Sequence, residues 1–108
     1  MNGSFEIREF VENGRSPYAE WFDGLDNVTA DRVDKYVGRL EHGNFSAVKA
    51  LPAGVFEVRM DFGPGYRVYF GREGRAIVIL LGGGSKRRQD ADIAAAVARW
   101  QRYQQTRR

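Results

Sequence analysis

The sequence predicts a single α+β domain spanning residues 1–108, in the order β-α-α-β-β-β-α. The expected architecture is a small, mostly antiparallel sheet packed by an N-terminal helical hairpin and a C-terminal helix. Three observations predict it. Between Val55 and Leu81, three β-rich runs are separated by short Gly-rich turns, the pattern of a meander. Two other segments repeat apolar residues at i, i+3, i+4 and i+7, the stripe of a helix with one buried face. A length of 108 residues with 43% hydrophobic content suits one core and not two.

Phe5 and Ile7 alternate with Glu6 and Arg8, which reads as a first strand over 5–10, broken by Asn13-Gly14. Ser16-Pro17 opens a helix: the hydroxyl caps free backbone N–H groups, and proline suits the first turn, where its missing donor is not needed. Tyr18, Trp21, Phe22 and Leu25 follow at helical spacing, and this helix ends near Gly24. A second helix is expected from after Thr29 to about His42, with Val33, Tyr36, Val37 and Leu40 as its stripe and Gly43 as its stop. Residues 44–53 read as a connecting loop.

The meander follows. In Val55–Phe62, the residues Phe56, Val58, Met60 and Phe62 share one face, and Glu57, Arg59 and Asp61 the other. Gly63-Pro64-Gly65 is a tight turn. Tyr66, Val68 and Phe70 then alternate with Arg67 and Tyr69, and Gly71-Arg72-Glu73-Gly74 reads as the next hairpin turn. Ala76–Leu81 is apolar on both faces, as in a central strand covered on both sides. Gly82-Gly83-Gly84 is expected to end it. The last helix is expected from near Gln89 to about Gln104, with Ile93, Ala96, Val97 and Trp100 as its stripe and a frayed Arg107-Arg108 tail.

The net charge of +3 hides an asymmetry. Residues 1–71 carry 8 Lys+Arg against 11 Asp+Glu, and residues 72–108 carry 9 against 3. That surplus suits a polyanionic partner such as nucleic acid, and equally suits a solvated basic helix. There is no cysteine, which removes disulfides and thiolate metal sites and fits a reducing cytoplasm. No apolar run is long enough to cross a bilayer, and the first residues lack a signal peptide's basic and apolar regions. His42 is the only histidine, so neither a catalytic triad nor a metal site is expected, and no cofactor is implied.

The arginines carry the strongest chemical signal. Arg59 and Arg67 alternate on neighbouring strands and are expected on the face opposite Phe56, Val58, Val68 and Phe70. Lys86, Arg87 and Arg88 follow the last strand at once. With Tyr69 among them, such a face suits single-stranded RNA: cations on phosphates, a ring under a base. The same residues also fit a sheet face neutralised by Glu57 and Asp61. Gly82-Gly83-Gly84 before Ser85-Lys86 is not a P-loop, because the GxxxxGK[ST] spacing is absent, though a strand exit of this kind can cradle a phosphate.

Gly54-Val-Phe-Glu-Val-Arg59, Gly63-Pro-Gly-Tyr-Arg-Val-Tyr-Phe70, Leu80-Leu-Gly-Gly-Gly-Ser-Lys86, Gln89 and Asp92-Ile93 resemble the addiction-module killer branch of the RelE/HigB/ParE toxin superfamily, over nearly the whole chain. The resemblance implies a RelE-like toxin of a type II toxin–antitoxin pair. RelE- and HigB-like members cleave mRNA on the ribosome; ParE-like members share the fold and poison DNA gyrase. It places Arg67 at the scissile phosphate, Arg59 at a basic strand position, and Lys86 and Arg87 on the basic segment after the last strand. These four are the expected catalytic residues, with Tyr66, Tyr69, Arg88 and Gln89 as RNA contacts. The implied partners are a helix-turn-helix antitoxin, the ribosome and mRNA. The sequence departs from the pattern at Glu57, where some relatives carry a basic residue, at Ile93, where some carry a tyrosine used as a base, and at Ser85 and Arg87-Arg88, where this branch has Asp before the lysine and Ser-Thr after it.

Overall fold

The computed structural model describes residues 4–107. It is an α+β fold: a mixed five-stranded sheet with helices on both faces. In chain order the elements are β1 (Glu6–Glu9), α1 (Pro17–Asp23), α2 (Asn27–Glu41), β2 (Val48–Ala50), β3 (Val55–Arg59), β4 (Tyr66–Glu73), β5 (Ile77–Ser85) and α3 (Gln89–Thr106). Short 3-10 turns precede β3 (Pro52–Gly54) and α3 (Lys86–Arg88). The strand order is β1-β5-β4-β3-β2, with β1 parallel to β5 and every other neighbour antiparallel.

Alternation sends the two faces of the sheet into two cores, where the chain's length alone suggested one, because helices cover both faces. Val58, Met60, Val68, Phe70, Val78 and Leu80 pack with Tyr18 of α1 and with Val33 and Leu40 of α2. Val55, Tyr69, Ile79 and Leu81 pack on the other side with Ala96 and Trp100 of α3. β5 is therefore apolar on both faces because both are covered. The helix starts follow local chemistry. Ser16 accepts from the Ala19 N–H at 3.0 Å with Pro17 behind it, and Asp26 accepts from the Thr29 N–H at 3.4 Å. That second cap starts α2 at Asn27, ahead of the boundary that spacing alone suggested.

Three further boundaries differ from the sequence reading. Residues 44–53 are not all loop: Val48–Ala50 adds an edge strand to β3, and its single large apolar residue gives no alternation to read. β3 stops at Arg59, whereas β4 continues through Gly71 to Glu73, so the turn falls at residues 74–76. Finally, Gly82-Gly83-Gly84 does not end β5. It lies inside the strand, paired with Tyr69, Val68 and Arg67 after a bulge between Tyr69 and Phe70. Its backbone is thus engaged in the ladder rather than coiled into a phosphate cradle.

These glycines are needed for space. A Cβ at Gly83 would collide with the Trp21 ring on one face, and a Cβ at Gly84 with the Asp92 carboxylate on the other. Charged contacts hold the far end of α3. Arg102 grips Glu12 through two bonds of 2.7 and 2.9 Å, and Tyr103 and Arg107 donate to Glu73 at 2.7 and 2.9 Å. Arg107, expected to fray, is thereby anchored; Arg108 lies outside the described residues. No helix of the described residues is long and apolar enough to cross a membrane.

The packing sets opposite signs for two glycine substitutions. Gly38 lies in α2, and a Cβ added there would have nothing within 4 Å, so Gly38→Ala should stabilise by about 0.5–1 kcal/mol. Gly83→Ala should destabilise by about 1–3 kcal/mol through overpacking against Trp21. Urea unfolding of both variants checks the pair, and equal midpoints would contradict the close approach.

Candidate nucleic-acid interface

The end of β3, the start of β4 and the exit of β5 meet at one end of the sheet. Arg59 lies directly opposite Arg67, Arg67 opposite Gly84, and Tyr66 opposite Ser85. This register brings Arg59, Arg67 and Lys86 to one open groove of about 660 Å³, which Asp61, Phe62 and Gly65 also line. Gly65 has φ +77°, where a side chain is strained, and a Cβ there would stand 3.2 Å from Arg67 Nη1 and 3.3 Å from Lys86 Cβ. The turn glycine thus lets the two cations approach. Arg87 and Arg88 lie exposed on the 3-10 turn that Lys86 begins, and line a separate hollow with Gln89 and Asp90.

Arg67 is 4% exposed and Glu57 is 0% exposed. Arg67 Nε stands 3.3 Å from Glu57 Oε2, and Arg67 Nη1 donates to the Gly65 carbonyl at 2.8 Å. The same Glu57 oxygen accepts from Gln89 Nε2 at 2.7 Å. Arg59 stands farther off, its Nε 4.0 Å from Glu57 Oε1, with half of its side chain exposed. One buried carboxylate therefore joins β3, β4 and the first residue of α3. Glu57 Oε1, Arg67 Nε and Tyr69 Oη are buried and meet no hydrogen-bond partner. The 3.3 Å contact is an ion pair without hydrogen-bond alignment.

The expected site residues divide accordingly. Arg59 and Arg67 do share the face opposite Phe56, Val58, Val68 and Phe70, as alternation predicts. On that face Arg67 is neutralised by Glu57, while Arg59 stays open to the groove. Tyr69 requires correction. Its ring is 1% exposed beneath α3 and has no face to offer a base. Burial, then the negative charge of Glu57 and Asp92, push its phenol well above the ordinary tyrosine value, so it stays protonated. Gln89 is half-buried and spends its side-chain amide on Glu57. Tyr66 is half-buried on the α1 side of the same sheet end, against Trp21 and Phe62. His42 caps α2 at the surface.

Asp92, and Arg99, which the sequence did not single out, line a second cleft of about 330 Å³, between α1 and α3. There Asp92 and Arg99 face Trp21 across Gly82 and Gly83. Burial raises the Asp92 carboxyl against the opposing pull of Arg88 and Arg99. Arg99 Nη1 donates to the Leu81 carbonyl at 3.0 Å. Glu57 itself had a sequence signal: it is an acid at an inward strand position, on the face it shares with Arg59 and Arg67.

Over 80 residues, covering 73% of this chain and 81% of the other, the sequence is 41% identical to an uncharacterized protein of Haemophilus influenzae. No family model matches the chain.

Removing one partner of a buried ion pair strands the other, so Glu57→Ala should cost about 3–5 kcal/mol in urea unfolding. Adding Arg67→Met to it should recover part of that loss, giving clear non-additivity in the double-mutant cycle. Additive losses would show that the two groups do not depend on each other.

Proposed function

We propose that this chain, which belongs to the same family as the uncharacterized Haemophilus influenzae protein, is the toxin of a type II toxin–antitoxin pair that cleaves mRNA on the ribosome. The observation that carries this reading is the convergence of Arg59, Arg67 and Lys86 on one groove, with Arg87 and Arg88 following Lys86 on an exposed 3-10 turn. The RelE-like resemblance of the sequence supplies the reaction class.

The chemistry needs no histidine. A ribose 2′-OH attacks the adjacent phosphorus, the 5′-oxygen leaves, and a 2′,3′-cyclic phosphate forms. Negative charge builds on the phosphoryl oxygens, and fixed cations stabilise it. Arg67 supplies a guanidinium held from behind by Glu57. Arg59 and Lys86 supply more mobile charge. Arginine does not act as the base because it stays protonated. Lys86 and Asp61 are the other titratable groups lining the groove, and proton transfer falls to them on this reading. The partners are ribosome-bound mRNA and a helix-turn-helix antitoxin, in the cytoplasm.

A second reading draws on the neutralisation of Arg67 by Glu57, which leaves fewer free cations for a transition state. A ParE-like inhibitor of gyrase, or a silent antitoxin-binding member, needs no such charge.

Induced expression should halt translation, with new mRNA 5′ ends mapped at ribosome-bound codons. Arg59→Ala and Lys86→Ala alter side chains open to the groove and should each lower cleavage by about 10²-fold. Arg67→Ala is the poorer test because it also strands Glu57. Toxicity with intact mRNA and gyrase-linked DNA breaks would establish the second reading, and no toxicity would leave the silent one.

A further inference from the structure

We infer that Tyr36, Phe62, Tyr66 and Trp21 form a base-stacking strip for single-stranded RNA, taking the place that the sequence reading gave to Tyr69. This rests on the proposed function and deepens it by naming where the bases lie. The four rings come from α2, the β3–β4 loop, β4 and α1. The fold brings them into a row with centroid separations of 6.1 Å (Tyr36–Phe62), 5.4 Å (Phe62–Tyr66) and 6.3 Å (Tyr66–Trp21). All four are half-buried. Their inner edges pack against the core, which explains why they are apolar.

Core packing does not explain the cations that lie over two of the rings. The Arg32 guanidinium lies 4.1 Å from the Phe62 centroid, and that of Arg39 lies 4.4 Å from the Tyr36 centroid. Neither has an ion-pair partner among the described residues. Phe62 lines the groove that holds Arg59 and Lys86. Tyr36, Arg39 and Lys49 line the adjoining depression of about 600 Å³, and both hollows share Arg59 and Asp61. Tyr36 and Phe62 thus interleave with cations along one continuous path, and Tyr66 and Trp21 extend the row of rings from Phe62. That is the chemistry of a single strand, whose unpaired bases stack on rings while its phosphates meet cations. A duplex keeps its base faces internal, and an acidic peptide would use the cations without the rings.

The test measures binding of two probes of equal charge, hexa-adenylate RNA and an abasic ribose-phosphate hexamer. It uses the wild type and two variants that keep apolar bulk, Phe62→Leu and Tyr36→Leu. The wild type should bind hexa-adenylate at least about tenfold more tightly than the abasic probe, and each variant should lose most of that preference. Affinity for the abasic probe should stay within about twofold, with an unchanged salt dependence. Equal binding of both probes by the wild type overturns the strip and leaves the phosphate groove and the cleavage reading intact. A variant that weakens both probes equally also overturns it. So does an acidic hexapeptide that competes as well as hexa-adenylate, which would mark the path as a protein-binding surface. Failure to bind either probe overturns the strip and counts against RNA as the ligand, while 5′-end mapping in cells decides cleavage separately.

Discussion

The buried Glu57 carboxylate is the contact on which the basic end of the sheet depends. It lies on a central strand with no exposure to solvent, so its charge must be answered from within. Arg67 answers from β4 and Gln89 from the first residue of α3. Those two contacts fix how α3 starts relative to the sheet. The segment Lys86–Arg88 immediately precedes Gln89, so its position follows from the same carboxylate. A hydrophobic residue in place of Glu57 would pack as well, but it would leave Arg67 unpaired and α3 without its polar tie. Buried ion pairs often contribute little net stability. Here the pair sets geometry: it aligns the one guanidinium that forms the groove floor.

The glycine run of β5 follows from the same crowding. Leu81–Ser85 passes between two helical layers that close on it from opposite faces. Trp21 sits on Gly83 from one side, while Asp92 sits on Gly84 from the other. Any side chain there would push α1 or α3 off the sheet. Moving α3 would also move Gln89 away from Glu57. Gly84 and the buried carboxylate thus serve one requirement, that α3 approach the sheet closely at its N-terminal end, while Gly83 serves the approach of α1.

Much of the architecture was legible because alternation and helical stripes report burial directly. The two faces of β3 and β4, the double-sided burial of β5, and the stripes of α2 and α3 all follow from period. The failures share a cause. β2 has one large apolar residue in three and forms because β3 offers it an edge. The glycines carry no period at all, so a strand interior and a flexible exit look alike. Tyr66 and Tyr69 both sit among basic residues on one strand. One is half-exposed and the other sealed, because α3 covers one face at that point, which no local pattern encodes. For the same reason Arg59 and Arg67 looked equivalent, though only one of them is neutralised. The aromatic row could not be read at all, since residues 21, 36, 62 and 66 become neighbours only through packing.

The two faces of this sheet end divide the work that a single strand of RNA would require. On the α3 face, Arg67 is held by Glu57 and the Gly65 carbonyl, so its guanidinium loses little rotamer freedom when a phosphate arrives. Arg59 and Lys86 are more exposed and would follow a ligand. On the α1–α2 face, the rings are held by the core and need no ordering either. A bound strand would therefore meet rigid elements on both sides, with mobile cations between them. The fixed groups would set direction and register, and the mobile ones would supply charge. That arrangement needs the sheet end to stay open. It does, because β3 stops at Arg59 and the chain turns through Gly63 and Gly65 instead of extending the hairpin across the groove.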